Sequence, residues 1–121
     1  MAEIENSVLA FEGKAAHEEE ASPILLAMTK TEHINEASEL SGFLSKMLTK
    51  KLDIDNRGIK QAAFYVLRGT NAPAVLFEMA FVSNQKDETK LESAKYRRRI
   101  VDGVYAGLLA FAKYQGWLAA Q

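Results

Sequence analysis

The chain is 121 residues long and carries 15 basic against 16 acidic side chains, a net charge of −1, with 48% hydrophobic and 26% charged residues. That is one globular domain's worth of protein, and its near-neutral balance excludes bulk charge attraction to nucleic acid or anionic membrane. Cysteine is absent and histidine occurs twice, which excludes disulfide staples, thiol nucleophiles and an imidazole-rich metal site completed by these residues alone.

The N-terminus, Met1-Ala2-Glu3-Ile4-Glu5-Asn6, is acidic where a signal peptide needs a basic region. The most apolar stretches, 21–28 and 100–112, fall short of a membrane span. A short helix is expected over 2–11, with Ile4, Val8 and Phe11 on one face and Gly13 ending it. The run His17-Glu18-Glu19-Glu20 reads as solvated. Pro23 suits the first turn of a second short helix over 24–28. Thr29 and Glu32 have capping-box spacing and are expected to open a long helix, carried by Ile34, Ala37, Leu40, Leu44, Met47 and Leu48 to about Lys51. Gly42 inside that helix points to a closely packed neighbour. Residues 53–58 form a polar loop.

The period then changes. Phe64-Tyr65-Val66-Leu67 and Ala74-Val75-Leu76-Phe77 are short apolar runs bounded by turn residues, and they read as buried strands covered on both faces. Asn84 is expected to cap a helix over 85–91. Ser93 caps the last helix, whose stripe is Tyr96, Ile100, Val104, Leu108 and Ala112, widened by Val101 and Tyr105, with Gly116 at its end. The expected fold is therefore α/β, long helices packed on a small sheet of about two strands.

Among residues suited to chemistry, Glu78 stands out. It closes an apolar run at what would be a strand's carboxyl end, where open α/β sheets collect ligands and a carboxylate can act as general base or metal ligand. A plain acid stepping out into solvent is the other reading of that position. Arg57 and Arg68 are expected in structural ion pairs. Lys95, Arg97, Arg98 and Arg99 form a basic cluster at the start of a helix, where cations oppose the dipole; a solvated or ion-paired face is expected. His17 and His33 are sixteen positions apart, show no metal-binding spacing, and read as surface histidines.

The blocks Asn56-Arg57-Gly58-Ile59-Lys60-Gln61-Ala62, Phe64-Tyr65-Val66-Leu67-Arg68 and Pro73-Ala74-Val75-Leu76-Phe77-Glu78-Met79-Ala80-Phe81-Val82-Ser83-Asn84 closely resemble the C-terminal half of the catalytic domain of the zinc-dependent N-acetylmuramoyl-L-alanine amidases. The resemblance continues through Asp87 and Leu91 into the last helix, and Ile34-Asn35-Glu36-Ala37-Ser38 looks like the segment before the first block. It implies a partial three-layer amidase fold. It also implies hydrolysis of the amide between N-acetylmuramic acid and L-alanine of peptidoglycan, by a zinc-activated water whose proton a glutamate handles. That glutamate lies in an E-x-x-F-x-S-N block, which falls on Glu78.

The departure concerns the metal. The family's ligands, two histidines and a glutamate, lie in D-P-G-H and S-x-H-A-N motifs of an N-terminal half, and neither motif is present here. The resemblance therefore implies a C-terminal portion over 29–121 that keeps Glu78 and lacks the zinc ligands, inactive by itself. Residues 1–28 correspond to a linker or a regulatory insertion, in which Glu3 or Glu5 is placed to block the site. Implied partners are peptidoglycan and an activator protein of the cell-division machinery, with self-association through an exposed sheet edge as a weaker option and no nucleic acid or membrane span. The implied setting is the bacterial envelope, periplasmic or secreted. The alternative reading is a non-catalytic module that binds peptidoglycan or protein.

Overall fold

The computed structural model describes residues 23–52, 54 and 56–118. The helix expected over 2–11, the acidic run, His17, Glu3 and Glu5 lie outside them. Three α-helices follow one another: α1 (Pro23–Lys51), α2 (Gln85–Glu92) and α3 (Ala94–Tyr114), with a 3₁₀ turn at Tyr65–Leu67. Over the described residues the chain divides into two compact units, 23–38 with 60–76 and 39–59 with 77–118.

Pro23 opens α1, where its missing N–H costs nothing and its φ is already helical. The two helices expected around residue 29 are one. Thr29 does not cap: its hydroxyl donates back to the Leu25 carbonyl at 3.0 Å, and Thr31 does the same to Ala27 at 2.9 Å. A hydroxyl that bonds the preceding turn leaves the helix unbroken. At the other end, the Leu52 N–H still reaches the Leu48 carbonyl at 2.8 Å.

The short helices end where their side chains dictate. Asn84 Oδ1 accepts from the N–H groups of Lys86 and Asp87 at 3.0 and 3.3 Å, the N-cap that starts α2. Ser93 closes α2 and opens α3 with one residue, its Oγ accepting from the Tyr96 N–H at 3.4 Å. Beyond α3, Gly116 takes φ +72° and donates to the Lys113 carbonyl at 3.1 Å, so glycine is the residue that can finish this turn.

The expected α/β architecture is not observed. Among the described residues there is no strand and no sheet. Phe64 to Leu67 curls into the 3₁₀ turn, with the Arg68 N–H on the Tyr65 carbonyl at 3.0 Å. Residues 73–81 carry no regular structure; Ala74 and Val75 are half-buried, while Leu76 and Phe77 are exposed. An apolar run becomes a strand only when another strand pairs with its N–H and C=O groups. Neither run finds that partner among the described residues.

The core lies in the second unit. Leu40, Leu44 and Leu48 of α1, with Leu52 just past its end, form one ridge of residues four apart, and Ile100 and Phe111 of α3 complete the buried hydrophobic set. The two helices run antiparallel: Leu48 meets Gly103, Leu44 meets Gly107, and Phe43 packs edge-on against Phe111 with ring centres 6.0 Å apart. The buried stripe of α3 is Ile100, Gly103, Gly107 and Phe111. The expected stripe was rotated from it: Ile100 is shared, but Val101, Tyr105 and Leu108 face solvent. The close approach expected at Gly42 is found instead at Gly103 and Gly107. A Cβ on Gly42 would meet nothing within 4 Å, whereas one on Gly107 would sit 2.9 Å from the Leu44 Cα.

Candidate functional site

Glu78 lies on the irregular segment that leads from the second apolar run to α2. Its side chain is exposed and makes no hydrogen bond or ion pair with any described residue. Three residues on, the chain is tied down firmly. The Phe81 N–H donates to Asp87 Oδ2 at 3.3 Å, the Asn84 N–H donates to the Phe81 carbonyl at 3.0 Å, and Asn84 caps α2. The run from Phe81 to Asp87 is thus a turn locked onto the first turn of a helix. Glu78 sits just before it as an exposed carboxylate with no partner among the described residues.

A second turn comes from the loop after α1. Asn56 Nδ2 donates to Ser45 Oγ at 2.7 Å and to Thr49 Oγ1 at 3.4 Å. Its Oδ1 accepts from the Gly58 N–H at 2.8 Å, and Gly58 adopts φ +77°. This is an Asx turn pinned to α1 through two hydroxyls one helical turn apart. Between its two ends stands Arg57, whose guanidinium carbon lies 5.7 Å from the centre of the Phe81 ring. The Arg57 and Phe81 turns therefore meet.

Arg57 and Arg68 were expected in ion pairs. Each instead lies over an aromatic ring, Arg68 at 5.6 Å from that of Tyr65, and neither reaches a carboxylate among the described residues. The electron-rich ring face attracts a cation as a carboxylate does, without a second charge to desolvate. The basic cluster is used structurally. Arg97 Nη1 donates to the carbonyls of Leu91 and Glu92 at 2.6 and 2.8 Å, closing α2; Arg99 donates to the Lys51 carbonyl, closing α1; Arg98 pairs with Asp102 at 3.5 Å. The cations that oppose the α3 dipole thus serve the negative ends of two other helices.

His33 is half-buried within α1 rather than in its first turn. Among the described residues no three His, Cys, Asp or Glu side chains lie together to hold a metal ion. The described residues thus do not fit a catalytic zinc, which takes three protein ligands and a water. Sequence reading singled out Glu78 and assigned no role to Asn56, Phe81 and Asp87, which hold the two turns together. The signal for Asn56 was available: asparagine two residues ahead of a glycine favours a turn in which its side chain takes the backbone N–H.

The chain belongs to the N-acetylmuramoyl-L-alanine amidase family, whose model matches residues 8–110. It is 36% identical over 84 residues, 69% of the chain, to an uncharacterised cell wall amidase of Bacillus anthracis. It is 39% identical over 72 residues, 60% of the chain, to the probable cell wall amidase LytH of Staphylococcus saprophyticus. To the N-acetylmuramoyl-L-alanine amidase AmiA of Escherichia coli it is 26% identical over 113 residues, 92% of the chain. The matched regions make up 16%, 25% and 39% of these relatives, so the chain spans well under half of their length. No solved structure matches it.

Proposed function

We propose that this chain is the C-terminal portion, over residues 29–121, of the catalytic domain of a cell-wall amidase that cleaves the amide between N-acetylmuramic acid and L-alanine, and that Glu78 is its general base. The observation that supports the role is the exposed Glu78 carboxylate, without a competing partner among the described residues, held just before the locked turn at Phe81. The carboxylate takes a proton from the attacking water as its oxygen bonds the amide carbon. It then passes that proton to the departing nitrogen as the C–N bond breaks, leaving a lactyl carboxylate and a free L-alanyl amine.

The family's zinc enters this reading only through ligands that the described residues do not supply. The proposed setting is the bacterial envelope, periplasmic or secreted, with peptidoglycan as substrate. No described helix is long and apolar enough to cross a membrane. Residues 1–28 are proposed as the linker or regulatory insertion on which an activator protein of the cell-division machinery would act. The sheet-edge route to self-association has no support, because the described residues contain no sheet.

The test is hydrolysis of a muramyl-peptide with zinc added. The chain alone is expected to give no turnover, while a longer protein containing it and the two histidine motifs turns over and loses that activity in Glu78→Gln with zinc still bound. Turnover by the isolated chain, lost in the same variant, would overturn the expected inactivity; full activity of Glu78→Gln in the longer protein would remove Glu78 from the mechanism. Binding of peptidoglycan with no turnover in any such protein would favour the non-catalytic module.

A further inference from the structure

α3 is apolar on two sides and has a neighbour on one. Its buried side is Ile100, Gly103, Gly107 and Phe111, and α1 meets it at Gly103, Gly107 and Phe111. About a third of a turn around the helix lies a second stripe, Val101, Tyr105 and Leu108, spaced four and three apart. These three are 59%, 66% and 46% exposed. Val104 and Ala112, both half-buried, widen and extend the stripe. From Gly103 to Ala112 the helix carries no charged residue, and Lys95, Arg99, Asp102 and Lys113 take the remaining side. A helix that meets one neighbour and water is apolar on one face and polar on the other. Two apolar faces beside one charged side are the pattern of a helix with two neighbours.

We propose that the Val101, Tyr105 and Leu108 face of α3 is the surface against which the rest of the amidase polypeptide packs. This rests on the amidase reading, in which the chain is one portion of a longer catalytic domain. The stripe lies inside residues 8–110, which match the family, so it belongs to the shared domain rather than to an appended tail. The matched regions are 16%, 25% and 39% of the three relatives, which leaves most of each relative's chain to supply the neighbour. Size decides between that neighbour and a separate molecule. A stable interface between free proteins takes about 20–30 residues a side. The stripe offers about three turns of one helix. A neighbour on the same polypeptide is held close by its own backbone, loses less freedom on docking, and can be seated on a narrow seam. A charge-free apolar strip with a tyrosine at its centre has the composition of such a seam.

The test compares the 121-residue chain with the longer protein of the hydrolysis test. Each is treated with tetranitromethane, and nitration of Tyr105 and Tyr114 is read by peptide mass spectrometry. The two tyrosines are 66% and 60% exposed, so both are expected to react in the chain alone. In the longer protein Tyr105 should react about tenfold more slowly, its reaction gated by local opening. Tyr105→Glu should shift the Tm of the chain by no more than about 3 °C, the range of an exposed substitution. In the longer protein it should lower the Tm by about 8 °C or more, the effect of a buried unpaired charge. If that variant does not fold, nitration of the wild type carries the comparison. Equal nitration of Tyr105 in both proteins would overturn the proposal. So would slow nitration in the chain alone that recovers on dilution, which assigns the face to a second copy. Tyr105 protected in a longer protein that does not hydrolyse the muramyl-peptide supports the docking face and removes the amidase reading. Hydrolysis with Tyr105 freely nitrated does the reverse.

Discussion

At the scale of the residue, the second turn depends on two neighbours of Arg57. Gly58 holds φ +77°, and a Cβ there would meet nothing within 4 Å, so the cost of a side chain is conformational alone. Gly58→Ala is expected to destabilise the chain by about 1 kcal/mol, the cost of a left-handed backbone for an L-residue. Asn56→Asp keeps the oxygen that accepts from Gly58 but removes the N–H donors to Ser45 and Thr49. It should cost about 0.5–1.5 kcal/mol, the net worth of an ordinary hydrogen bond. Urea unfolding of each variant checks both values. An Asn56→Asp as stable as the wild type would show that the hydroxyl pins hold nothing. The family resemblance was legible at this scale because the block around Glu78 is contiguous. Arg57's use was not, because the ring it rests on lies 24 positions away and nothing local distinguishes a stacked arginine from an ion-paired one.

At the scale of the element, helix termini were the most legible features. Asn84 and Ser93 cap α2 and α3 as their side chains predict, because an N-cap is settled by atoms two or three residues away. Glycine was misread for the opposite reason: its value depends on what lies opposite. Gly107→Ala would bring a Cβ within 2.9 Å of the Leu44 Cα, and backbone cannot step aside as a side-chain tip can. It should destabilise by about 1–3 kcal/mol despite the better helix propensity of alanine. Gly103→Ala meets Leu48 Cδ2 at 2.8 Å, a movable group, and should cost less. Gly42→Ala meets nothing and should stabilise by about 0.5–1 kcal/mol. Thermal unfolding of the three variants gives the order; a Gly107→Ala more stable than Gly42→Ala would contradict the helix contact described here.

At the scale of the whole molecule, stability is unevenly distributed. Every buried hydrophobic side chain among the described residues, from Leu40 to Leu52 and at Ile100 and Phe111, belongs to the second unit. The first half of α1 exposes Ile24, Leu25, Met28 and Ile34. Local opening is least costly where few apolar contacts must be broken. Hydrogen exchange should therefore find the slowest amides in α1 from Leu40 onward and in α3 from Ile100 to Phe111. Amides over 23–38 and 60–76 should exchange much faster. Uniform protection along α1 would show that its two halves open together.

What the sequence by itself determined is whatever a few neighbouring residues decide: where α2 and α3 begin, that α1 carries a leucine ridge, and that the block around Glu78 is an amidase block. The tertiary structure alone decided the rest. It made one helix of two by turning the Thr29 hydroxyl backward, and rotated the α3 stripe onto Gly103 and Gly107 because the Leu44–Leu48 ridge fits there. It left two strand-like runs without a sheet among the described residues. Local propensity can propose a strand or a cap, but only caps are completed locally. Ladders, close helix crossings and stacked cations each need a partner supplied by distant chain, and that partner decides whether the proposal is realised.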